Sequence, residues 1–213
     1  MKRIIIIIGL IVLFQNANAA LLLAMYQKMR IMRERTLSID SLNAEEGSVH
    51  MQLSCALRYW SRGKYDVARH FLNKAVEGEN DTAMVYLAEM DYYGYGLEQP
   101  NTGSALKFAK KALRKGNKLS YFIIGKNYYD NMDYHNAYKC FINVPDDSHN
   151  IQVTYYYLAK CHRYGRGVQI DVQKSLDYLK KAALSRNWWD KQFLRTDDTK
   201  DLERIIELLN VAK

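Results

Sequence analysis

Proline is nearly absent, two in 213 residues beside eleven glycines. That leaves little room for a disordered linker and lets helical segments run unbroken. Cysteine is scarce as well. Cys55, Cys140 and Cys161 show no regular pairing. In an antiparallel hairpin pair, Cys140 near one helix end and Cys161 about three turns into the next lie roughly 10 Å apart along the axis, beyond disulfide reach, so unpaired thiols are expected. His50, His70, His135, His149 and His162 are scattered, with no paired spacing and no adjacent carboxylate motif, which predicts neither a metal site nor a cofactor. A nucleophile signature and a phosphate loop are also missing. Gly94-Tyr95-Gly96 and Gly165-Arg166-Gly167 have no strand before them and read as turns between helices. The expectation is therefore not an enzyme, with a triad assembled from distant segments as the exception that sequence does not reveal.

Acidic side chains are outnumbered, 23 against 31 basic, for a formal charge of +8. Most Lys and Arg stand beside Asp and Glu on helix surfaces, so no nucleic-acid interface is expected. The chain starts Met1-Lys2-Arg3, followed by an apolar run at 4–14 and the small residues Ala17-Asn18-Ala19. This is the layout of a secretory leader, residues 1–19, cleaved to leave Ala20 first. Residues 20–25 are apolar again, so 4–25 is also readable as an uncleaved anchor, with Gln15, Asn16 and Asn18 at mid-bilayer opposing that reading. The expected location is periplasmic or secreted, the alternative the inner membrane. Residues 21–35 are expected to form a helix with a basic face (Lys28, Arg30, Arg33, Arg35) that suits a membrane surface, and 38–48 a polar connection.

What is abundant is a spacing. In 154–187, Leu158, Ala159 and Cys161 recur at helical intervals, Gly165-Arg166-Gly167 stops that helix, and Ser175, Tyr178, Leu179, Ala182 and Ala183 form the stripe of a second. Counting from Ala83, the same frame yields Leu87, Ala88, Gly94, Gly96, Leu97 and Ala105. Shorter copies follow Met51 (Cys55, Ala56, Tyr59, Gly63, Tyr65, Ala68) and Ser120 (Ile124, Gly125, Tyr128, Tyr134, Ala137). Four hairpins, at about 51–82, 83–119, 120–153 and 154–187, alternate short and long. After them, 188–213 holds Trp188, Trp189 and Phe193 and a helical pattern from Leu202 to Leu209, read as a C-terminal cap on the last hairpin.

Tyr164-Gly165-Arg166-Gly167-Val168 with Asp171 and Lys181-Ala182-Ala183 resembles a Sel1-like repeat, as does Tyr93-Gly94-Tyr95-Gly96-Leu97 with Ala105 and Lys111-Ala112. The short copies resemble tetratricopeptide repeats. Asp91 and His162 depart from the pattern where the long units carry an aromatic residue. The resemblance, over about residues 50–187, implies an all-α right-handed superhelical solenoid and a protein-binding adaptor, monomeric.

Seventeen tyrosines are the remaining signal. Frame position nine holds Trp60, Tyr92, Tyr129 and Arg163. Position ten holds Ser61, Tyr93, Asp130 and Tyr164, and position six holds Leu57, Glu89, Lys126 and Lys160. The resemblance places these on the groove that tetratricopeptide repeats use for peptides. Trp60, Tyr92, Tyr93, Lys126, Tyr129, Lys160, Arg163 and Tyr164 are the expected contacts for an extended acidic segment of a partner protein, with tyrosines that only fill gaps between hairpins as the alternative. The rival functions are a cell-wall- or peptide-acting enzyme and a membrane-surface structural protein held by an uncleaved anchor.

Overall fold

Four of the described helices start where a short polar side chain takes an otherwise orphaned backbone N–H. Ser48, Asn80, Asn101 and Asp133 accept from the N–H of Met51, Ala83, Ser104 and Asn136, contacts each worth about 1 kcal/mol. The structure, a computed structural model, describes residues 22–32, 34–36 and 39–184. The helical residues at 22–32, 34–36 and 39–45 are together labelled α1. After them come α2 (Val49–Trp60), α3 (Tyr65–Glu77), α4 (Asp81–Tyr93), α5 (Thr102–Arg114), a 3-10 turn at Lys118–Ser120, α6 (Tyr121–Asp130), α7 (Tyr134–Phe141), α8 (Ile151–Tyr164) and α9 (Val172–Leu184). No strand occurs among the described residues. The expected leader at 1–19 and cap at 188–213 lie outside them.

Pairs α2/α3, α4/α5, α6/α7 and α8/α9 pack as hairpins, and each hairpin packs on the next through α3/α4, α5/α6 and α7/α8. The chain is an all-α solenoid. Small residues let the helices approach: Ala56, Ala68, Ala88, Ala105, Ala137 and Ala159 are all buried. Around them lie two larger cores, one holding Trp60, Phe71, Leu72, Leu87 and Met90, the other Phe122, Ile123, Phe141, Val153 and Leu158. Each such side chain contributes about 1.5–3 kcal/mol by leaving water. Cys55, Cys140 and Cys161 are free thiols. Burial pushes them up, to about 11, about 11 and about 12, so they stay protonated and unreactive near neutral pH.

Residues 38–48 are not the plain connection expected from their polarity, because 39–45 are helical. Ala44 is buried against the first hairpin, Asp40 pairs with Arg58, and Glu45 pairs with Lys74 and His70. Anchored on three sides, the segment becomes an extra layer on α2 and α3.

The two Gly-x-Gly turns do more than stop a helix. Gly94 and Gly165 are left-handed caps of α4 and α8, and the second glycine of each turn sits on the preceding hairpin. Gly96 meets Tyr65, and a Cβ on Gly167 would overlap the Tyr134 carbonyl. Tyr65 and Tyr134 are the first residues of α3 and α7. The middle residues follow suit: Tyr95 stacks on Tyr65 at 4.8 Å, and the Arg166 guanidinium lies 5.1 Å from the Tyr134 ring centre.

In the short hairpins one left-handed residue makes the turn, Gly63 in the first (φ 70°) and Met132 in the third (φ 61°). A side chain there strains the backbone by about 1–2 kcal/mol, and Met132 is exposed, so it gains little in return. Met132→Gly is therefore expected to raise stability by about 0.5–1 kcal/mol, after the entropy glycine adds to the unfolded chain. Chemical denaturation checks it, and a loss of stability would contradict it.

Candidate partner-binding surface

An α-helix advances 100° per residue, so frame positions three, six and ten share one face of each first helix. In α4 these are Tyr86, Glu89 and Tyr93, in α6 Ile123, Lys126 and Asp130, and in α8 Tyr157, Lys160 and Tyr164. The first helices of the second to fourth hairpins meet along this face. Lys126 Nζ lies 5.7 Å from the Tyr92 ring centre and 5.5 Å from that of Tyr157, and Lys160 Nζ lies 5.1 Å from Tyr156 and 5.8 Å from Tyr157. A ladder of tyrosines and ammonium groups crosses three hairpins, with cation–π contacts at every step.

The ladder is internally neutralised at its centre. Lys126 donates to both Asp130 oxygens at 2.5 and 2.6 Å, and the Tyr92 hydroxyl donates to Asp130 Oδ2 at 2.6 Å. The ammonium is enclosed, its side chain 4% exposed, whereas Asp130 is 41% exposed. The expectation that Lys126 presents its charge to a ligand is corrected here, since Asp130 covers it. At the far end the ladder opens to solvent. Arg163 and Tyr164 are both exposed, and the Arg163 and Arg166 guanidinium carbons lie 5.9 and 5.3 Å from the Tyr164 ring centre.

The position-nine column does not form one surface. Trp60 is fully enclosed, edge-on to Tyr86 and Tyr95. Tyr92 and Tyr129 belong to the core cluster, and Tyr129 packs on Tyr134, Phe141 and Tyr157. Only Arg163 of the four is exposed. The reason is rotational. Position nine lies one turn beyond position five, where Ala56, Ala88, Gly125 and Ala159 are the small residues on the side facing the hairpin's second helix, so it points into the packed core. Tyr93 is intermediate, its hydroxyl enclosed and pushed well above the usual tyrosine range by burial.

Sequence reasoning passed over a buried polar cluster beside the ladder. Glu89, in α4, has no exposed surface. His149 Nε2 lies 2.9 and 3.0 Å from its two oxygens, and Asn150 Nδ2 donates to Glu89 Oε1 at 2.5 Å. The Tyr86 ring stacks on His149 at 4.8 Å. These contacts fold the segment between α7 and α8 back over α4. The two departures from the repeat pattern are hubs of the same kind. Asp91 takes Arg69 Nη1 at 2.6 Å and the Ser104 hydroxyl at 2.5 Å. His162 sits between Tyr138 and Tyr178, where burial first and Lys174 second hold it below the usual histidine range. Among the described residues no cluster of His, Cys, Asp and Glu is arranged to hold a metal ion.

Residues 82–117 and 153–187 match the Sel1 repeat family, so the chain carries Sel1 repeats where the two long hairpins stand. A Sel1 repeat protein from Oxalobacter formigenes is similar in fold, with a TM-score of 0.55 at 23% identity over 68% of this chain. A protective antigen of uropathogenic Escherichia coli displaying an SLR fold is similar at 15% identity over 81% of this chain, with a TM-score of 0.43. The chain spans 59% and 47% of the lengths of these two proteins. Sel1 repeats generally act as protein–protein interaction modules, typically in scaffolds without catalysis.

Proposed function

We propose that this Sel1-repeat chain is an adaptor that holds an extended, acidic segment of a partner protein along the inner face of its hairpins. The observation that carries this reading is the exposed Arg163–Tyr164 pair, with the half-buried Arg166 beside the Tyr164 ring, at the open end of a tyrosine–ammonium ladder that packs three successive first helices together. Aromatic and arginine side chains such as these supply most interface energy. Net positive charge favours an acidic occupant. The leader-like residues 1–19 support work after export, in the periplasm or outside the cell.

Burial redistributes the expected anchors. Arg163→Ala and Tyr164→Ala should each weaken binding by about 2 kcal/mol, about thirtyfold, with thermal unfolding unchanged. Trp60→Ala and Tyr129→Ala instead cost about 3–5 kcal/mol of stability. A photo-crosslinking residue at Tyr164, compared with one at the exposed Lys107 on α5, tests the site in the native host. The reading requires an adduct from Tyr164 that maps to an acidic stretch and disappears with Arg163→Ala. The same adduct from Lys107 would place binding elsewhere.

A further inference from the structure

Residues 22–32 are exposed throughout, and independently of the inner face they have a lipid-binding layout. In 22–32, Leu22, Met25, Tyr26, Met29 and Met32 fall at intervals of three, one, three and three, a single helical stripe, and each is more than half exposed, as are Leu23 and Ile31 off that stripe. Such a stripe on a soluble chain awaits a cover.

Charge identifies the cover. Residues 1–33 contain no aspartate or glutamate. The next three acidic side chains are all turned inward onto the first hairpin: Glu34 lies 3.1 Å from Lys64 Nζ, Asp40 pairs with Arg58, and Glu45 pairs with Lys74 and His70. Lys28, Arg30 and Arg35 are exposed and have no acidic partner among the described residues. An apolar stripe flanked by uncompensated cations is the layout of a helix lying in a membrane interface. A second copy of the same helix would bring like charges together, whereas anionic headgroups neutralise them.

We infer that residues 22–32 and 34–36 lie in the plane of an anionic membrane surface, with Leu22, Met25, Tyr26, Met29 and Met32 among the acyl chains and Lys28, Arg30 and Arg35 at phosphate headgroups. The repeat array then works at a lipid surface, whether or not residues 1–19 are removed.

The test uses the full chain with Cys140→Ser, leaving the buried Cys55 and Cys161, and single cysteines replacing residues 22 to 32 in turn. Each carries an environment-sensitive fluorophore, read against vesicles containing phosphatidylglycerol and lipid-borne quenchers at known depth. Quenching should rise and fall with helical period, strong at 22, 25, 29 and 32 and weak at 24, 28 and 31. Lys28→Gln and Arg30→Gln should each lower partitioning roughly fivefold and leave thermal unfolding unchanged. Three results overturn the inference. Quenching that deepens steadily toward residue 22 means a spanning helix, and its absence at every position means a protein partner or a second copy. Equal partitioning into phosphatidylcholine vesicles removes the headgroup contact.

Discussion

Raising the pH past about 10 is expected to unfold the array in one cooperative step, with the phenolate absorbance of the buried tyrosines appearing only as helix is lost. Tyrosine ionises near pH 10 in an unfolded chain. In the fold, burial pushes Tyr95 and Tyr129 up to about 12, and Tyr86 and Tyr93 higher still. A folded-state value raised above the unfolded one means stability fully present below about pH 10 and lost as pH climbs toward the folded values. Each such tyrosine removes about 1.4 kcal/mol per pH unit in that window. Tyr86 and Tyr93 together remove about 3 kcal/mol per unit, with a smaller, solvent-screened share from Tyr95 and Tyr129, against a total stability of about 5–15 kcal/mol. The midpoint should therefore fall above about pH 11. Parallel titrations by absorbance and circular dichroism check it, and full phenolate absorbance reached while helix persists would show that the buried hydroxyls reach water.

Asp130→Ala should be among the most damaging single changes on the inner face, and Lys126→Met one of the mildest, although the two residues form one ion pair. The asymmetry lies in their exposure, 41% for Asp130 and 4% for Lys126. Removing the carboxylate strands an enclosed ammonium and leaves the Tyr92 hydroxyl without this acceptor, a loss of about 3–5 kcal/mol, or about 6–20 °C in melting temperature. Removing the ammonium leaves a carboxylate that water and Tyr92 still serve, at a cost of about 1 kcal/mol or less. The double variant should recover most of the single Asp130→Ala loss. Thermal unfolding of all three decides it. Equal losses from the two single changes would show that the pair is solvated.

The hairpins were legible because their signals are local: a stop at Gly165 or Gly94, and alanines at helical spacing on both sides. The rotation of the tyrosine column was not read correctly, since tyrosine and tryptophan serve core and surface alike. Position five carried the missing clue. Its Ala56, Ala88, Gly125 and Ala159 define the side facing the partner helix, and position nine is the next residue along that side. Arg163 escapes burial because no further hairpin covers it among the described residues. His149 and Asn150 had no signal at all. They lie between α7 and α8, where nothing repeats, and their partner Glu89 is 60 and 61 residues away. The helix at 39–45 was missed because polar residues there are held by ion pairs to Arg58, His70 and Lys74.

The backward reach of the two glycine turns bears on how such a chain changes length. Gly96 with Tyr95 clasps the start of α3, and Gly167 with Arg166 clasps the start of α7, so each long hairpin is bolted to the short one before it. The inheritable unit is then a couple of about seventy residues, and the present array holds two of them. Deleting or duplicating one hairpin would leave a clasp closing on the wrong neighbour, while adding or losing a whole couple would preserve every clasp. Descendants of this gene that have grown or shrunk should differ by even numbers of hairpins.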